Sequence, residues 1–133
     1  MPVTTTNIKS VILREVPECD ADFEEGELPH LMLSELFRWT ESRARDGRNE
    51  DVARALNLVD GMFRDCDAAV KNGITVSFLE NIDPDDEVGR RMFDALSPAL
   101  RQQWQALDRY MIDLIGKSLR GSVARNAAGK TSG

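Results

Sequence analysis

Apolar residues along the chain recur at steps of three and four, and short Pro-, Gly- or Asp-rich breaks interrupt them. This is the pattern of consecutive helices. Ile8, Val11, Ile12 and Val16 predict a first helix over 4–16, with Thr6 or Asn7 able to cap its start and Pro17 stopping it. A second helix is expected from Pro29, a residue suited to a first helical turn. Met32, Leu33, Leu36, Phe37 and Thr40 form its apolar face, Arg43 and Arg45 lie near its end, and Gly47 terminates it. In the third, Asn49 serves as cap and Glu50 and Asp51 occupy the first turn. Val52, Leu56, Val59, Phe63, Cys66 and Val70 then step 4-3-4-3-4, a coiled-coil-like seam that ends at Asn72-Gly73.

Residues 74–82 read two ways. The Thr75-Val76-Ser77-Phe78 alternation could form a strand, but no other segment offers a strand partner, so a short buried helix is expected. Asp83-Pro-Asp-Asp-Glu87 is then an acidic turn capping a helix over 86–96, with Val88, Met92, Phe93 and Leu96 inward. Ser97-Pro98 opens the last helix, whose Leu100, Trp104, Leu107, Met111 and Leu114 again step 4-3-4-3 and are expected to pair with the third helix. Gly116 and Gly121 mark a fraying end. Residues 121–133, without an apolar face, are expected to form a disordered basic tail. The fold class is therefore all-α: an antiparallel bundle, or short stack, of five to six helices in one domain over 1–120.

Composition narrows the function classes. The 133 residues suffice for one domain, and 41% hydrophobic with 30% charged residues fits a globular chain. Nothing approaches the ~20 apolar residues of a membrane helix. The first residues, Met-Pro-Val-Thr-Thr-Thr, lack the basic start and apolar stretch of a signal peptide, so a cytoplasmic protein is expected. Two cysteines and one histidine are too few for a structural zinc site, and no disulfide is expected between Cys19 and Cys66.

The formal net charge is −6, but it is unevenly distributed. Residues 1–119 hold all 23 acidic and 14 of the 17 basic residues, a net −9, while the segment from Arg120 carries +3. Such a surface argues against nucleic acid as a partner. Much of the acidity sits in two short segments. One, expected to be an exposed loop over 18–27 pinned by Phe23, contains Asp20, Asp22, Glu24, Glu25 and Glu27. The other contains Asp83, Asp85, Asp86 and Glu87.

Motifs with catalytic or ligand chemistry fail on inspection. Ala124 through Thr131 loosely matches a phosphate loop, but no strand precedes it and no helix follows. The Asp20–Gly26 run lacks the glycine and bidentate glutamate of a calcium loop, since Glu25 and Leu31 occupy those positions. His30 has no second catalytic partner at a meaningful spacing, and Glu27-Leu-Pro-His30 cannot build a di-iron site alone. Trp39 falls beside the main stripe of its helix and is expected to be half-buried, and Trp104 is expected in the core. No catalytic residue, metal or cofactor is assigned.

Val76-Ser-Phe-Leu-Glu-Asn-Ile82, followed by Leu96-Ser-Pro-Ala-Leu100, resembles a family of small bacterial helical proteins. Its members carry an S-F-L-E-N-L segment and then a helix opening L-G-P-x-L; here Ile82 stands for the Leu and Ser97 for the Gly. His30 through Trp39 is similar to an early helix of that family, and the resemblance runs from about residue 8 to 116. It implies a helical interaction protein, immunity-like at most, and carries no activity.

These features favour a non-enzymatic protein-binding module. The nine carboxylates named from the two acidic segments would face a basic protein partner and steer its approach. The alternatives are a structural protein that forms a homodimer through the third and last helices, and a helical protein binding a small ligand near His30.

Overall fold

The computed structural model describes residues 2–22 and 28–121, with the backbone alone described for residues 20–22. Among the described residues six α-helices form, and there is no strand beyond an isolated bridge between Val3 and Cys66. The helices are α1 (Ile8–Glu15), α2 (Pro29–Arg45), α3 (Asn49–Arg64), α4 (Ala68–Gly73), α5 (Glu87–Asp94) and α6 (Pro98–Ile115). The all-α reading of the sequence is correct. No helix among the described residues is long and apolar enough to cross a membrane.

The central element is α2, which packs against α3, α4, α5 and the segment following α4. Its expected apolar face is entirely buried: Met32, Leu33, Leu36 and Phe37 line the core, and the Thr40 hydroxyl satisfies itself on the Leu36 carbonyl at 2.7 Å. Burying a side chain of the Leu or Phe class contributes about 1.5–3 kcal/mol, so this face dominates the energetics of folding.

Local chemistry overrides the apolar spacing in several places. Residues 4–7 form a turn rather than the start of α1. The Asn7 side chain accepts the Thr4 N–H at 2.8 Å, serving the turn before the helix instead of the helix itself. Pro17–Asp22 is a 3₁₀ helix, not a loop, with Cys19 fully buried; the rest of the expected acidic loop, including Phe23, lies outside the described residues.

The expected third helix is two helices. Its ladder breaks at Asp65–Asp67, where Val3 N–H donates to the Asp65 carbonyl and Asp67 N–H to the Val3 carbonyl, each at 2.9 Å. Asp67 then caps α4 by accepting the Val70 N–H, also at 2.9 Å. Cys66 consequently sits half-buried in a bridge rather than on a helical seam, and burial pushes its thiol pKa up.

Gly73 does not stop the helix. It is in ordinary helical conformation, and α4 continues through a π-helical turn over Ile74–Phe78 and a 3₁₀ turn over Leu79–Asn81. The glycine answers a packing demand: a Cβ there would stand 2.8 Å from Leu33 Cδ1 on α2. The 74–82 segment is helical and largely buried as expected, with Ile74, Phe78 and Leu79 fully enclosed, and Phe78 meets Phe37 edge-on at 5.5 Å.

The last helix begins as its sequence dictates, with Ser97 Oγ accepting the Leu100 N–H and Pro98 at the first position. Its main neighbour is not α3. It packs chiefly on the turns that extend α4, and Trp104 Nε1 donates to the Ile82 carbonyl at 3.0 Å. Leu100 and Trp104 are buried and Leu107 and Met111 partly so, but Leu114 is 62% exposed, because the core ends before the seam does. Gly116 closes α6 in the left-handed conformation (φ +70°), a geometry that favours glycine. The chain does not fray there. Residues 117–121 turn back as a strap, and Leu119 is buried.

Two glycine substitutions should separate packing from propensity. Gly89 on α5 faces the Asp83 carbonyl so closely that a Cβ would lie 2.0 Å from it, so Gly89→Ala is expected to cost more than about 3 kcal/mol. Gly61, inside α3, has nothing within 4 Å of a built Cβ, so Gly61→Ala should stabilise by about 0.5–1 kcal/mol. Urea denaturation of both variants checks the pair.

Candidate interaction surface

Of the nine carboxylates singled out in the sequence, Glu24, Glu25 and Glu27 lie outside the described residues. Asp20 and Asp22 fall on the 3₁₀ helix with their side chains undescribed. The other four belong to one turn between the segment extending α4 and α5, and each has a different task.

Asp83 is buried. Its Oδ1 accepts the N–H of Asp85 and the N–H of Gly121, both at 2.9 Å, so it organises the turn and holds the strap. Asp86 caps α5 by accepting the Gly89 N–H at 3.0 Å. Asp85 and Glu87 are the outward pair. Asp85 faces Arg120 of the strap at 3.4 Å, and Glu87 faces Arg91 one helical turn on at 3.1 Å. Only two of the four are thus placed for a partner to reach first, a division that composition alone does not reveal.

The strap adds residues that the sequence reading missed. The Ser118 hydroxyl and the Leu119 N–H both donate to Asp108 Oδ1 on α6, at 2.7 and 2.6 Å. The Arg120 guanidinium lies 5.6 Å from the centre of the Trp104 ring while it faces Asp85. A groove of about 790 Å³ runs beside it along α6, lined by Trp104, Gln105, Asp108, Ile112, Asp113 and Arg120 among others. The signal available in sequence was Leu119-Arg120 directly after a helix-ending glycine, which reads as tail until its contacts are seen.

Two further constellations have structural roles. Trp39 is buried more fully than expected, because Arg43 and Arg54 each lie 5.4 Å from its ring centre and cover it. Arg54 also donates to Glu18 and faces Asp51 at 3.6 Å, tying the 3₁₀ helix to α3. His30 lies at the surface, with Nδ1 3.0 Å from Ser77 Oγ across the α2–π-turn contact. It lines neither the α6 groove nor a second groove of about 460 Å³ between α1 and α3. Among the described residues no group of three or more His, Cys, Asp or Glu is placed to hold a metal ion.

Fold and surface together define a small all-helical domain in which polar side chains cap, bridge and cover. Residues 10–111 match the domain of unknown function DUF7674, and the chain belongs to that family. No curated protein matches the chain, and no solved structure matches it.

The Glu18–Arg54 contact carries a pH signature. Hydrogen bonding from Arg54 holds the Glu18 carboxyl below its usual value of 4.5. A lowered folded-state pKa stabilises the fold fully above that usual value, and the contribution is lost as pH falls through the lowered one. Both side chains are more than a third exposed, so the effect is that of a screened surface pair, about 0.2–1 kcal/mol. Glu18→Gln should lose this amount at pH 7 and converge with the parent protein at the acid end of a stability-versus-pH titration.

Proposed function

We propose that this domain is a non-enzymatic, acidic protein-binding module of the cytoplasm, acting on a basic protein partner in the manner of an immunity-type inhibitor. The observation that carries the reading is the 83–87 turn. Its two outward carboxylates, Asp85 and Glu87, sit on a backbone already fixed by Asp83 and Asp86, so presenting them to a partner costs little further ordering. The −9 charge of residues 1–119 supplies the long-range attraction, and the residues of 18–27 would add to it.

A second reading, self-association, draws on the end of α6. There Tyr110, Ile112, Leu114 and Ile115 are all exposed beyond the core. Sedimentation across a concentration series decides it, and a strict monomer removes it.

For the leading reading, the immobilised full-length domain should retain a basic protein from native-cell lysate at low salt. Asp85→Asn with Glu87→Gln should slow association with the retained protein several-fold. The difference should vanish near 1 M salt, where the screening length falls to about 3 Å. An association rate unchanged at low salt sinks the idea.

A further inference from the structure

We propose that the surface under the strap 117–121, made by Asp83, Asp85, Trp104 and Asp108, is a recognition site for an arginine-bearing peptide segment, and that the strap occupies it in cis. This rests on the protein-binding reading and names the feature of the partner that is read. The strap engages the domain through a set of contacts that any extended peptide could reproduce. Two backbone N–H groups, of Leu119 and Gly121, donate to the carboxylates of Asp108 and Asp83. One apolar side chain, Leu119, is buried, and one guanidinium covers an indole while facing the carboxylate of Asp85. The receiving residues Asp83, Asp85, Trp104 and Asp108 thus all belong to the family-matched segment 10–111, whereas the strap lies beyond it.

The chemistry favours arginine over lysine. A planar guanidinium can lie against the Trp104 ring and still direct an N–H to Asp85, which a compact ammonium cannot do equally well. Within the strap, the arginine contact is the part an external arginine would replace. The Arg120–Asp85 pair is about half exposed on both sides, and such pairs hold weakly. The groove beside it, about 790 Å³, leaves room for residues flanking the arginine. A tethered arginine competes at an effective concentration in the millimolar range, so removing it from Trp104 and Asp85 should raise the affinity for an external peptide about tenfold or more.

The test uses the full chain and a synthetic peptide with the strap's own sequence, Lys-Ser-Leu-Arg-Gly-Ser, read by calorimetry and by tryptophan fluorescence. Arg120→Ala should bind it at least about tenfold more tightly than the parent protein does. The same peptide with alanine for arginine should lose that binding, and adding Asp85→Asn should weaken it again. Leu119→Ser with Arg120→Ala should bind more tightly still; if that double variant fails to fold by circular dichroism, the single variant carries the test. A folded Arg120→Ala protein that gains nothing over the parent overturns the proposal. If salt-sensitive capture through Asp85 and Glu87 survives that result, only the arginine site falls; if both fail, the protein-binding reading falls with it.

Discussion

Removing a carboxylate from water costs several kcal/mol unless hydrogen-bond donors replace the lost hydration. Asp83 meets that demand with two backbone N–H groups, one from its own turn and one from Gly121, 38 residues further along. Much of the surrounding architecture follows. The turn must be tight enough to bring Asp85 back onto Asp83, which leaves the Asp83 carbonyl against α5 and admits only glycine at position 89. The strap must return far enough to deliver its N–H, which brings Arg120 over Trp104 and buries Leu119. One buried charge therefore sets the start of α5, the path of the chain after α6 and the direction in which Asp85 points.

The same economy explains which parts of the fold were legible in the sequence. Helices whose register is set by a wide apolar face, α2 above all, follow directly from spacing, because burial dominates their energy. The break at Asp65–Asp67 did not, since the 4-3 rhythm runs through it. What ends α3 is a pairing with Val3, a contact more than sixty residues away in sequence that periodicity cannot sense. Gly73 misled for a related reason. Near a helix end glycine usually signals a stop, yet here it admits Leu33 of the neighbouring helix.

The site was legible as composition and illegible as geometry. A count of carboxylates finds the 83–87 turn but cannot separate the buried Asp83 and the capping Asp86 from the outward Asp85 and Glu87. That separation arises from which backbone N–H groups each side chain meets, and two of those donors, Gly89 and Gly121, have no side chain to draw attention in a sequence scan. The expected pairing of α3 with α6 exists only as a lesser contact, through Ser97 and Asp60: the segment extending α4 gives Trp104 a carbonyl for its indole N–H that a purely apolar seam would not.

The return of the strap also sets an order in time. A chain made from its N-terminus completes residues through Ile115, and with them every α-helix among the described residues, before Leu119, Arg120 and Gly121 exist. During that interval the Gly121 N–H is not yet there for Asp83, nor Arg120 for the Trp104 ring. Among the described residues, the return of Leu119 to Gly121 is thus the last tertiary contact the growing chain can make.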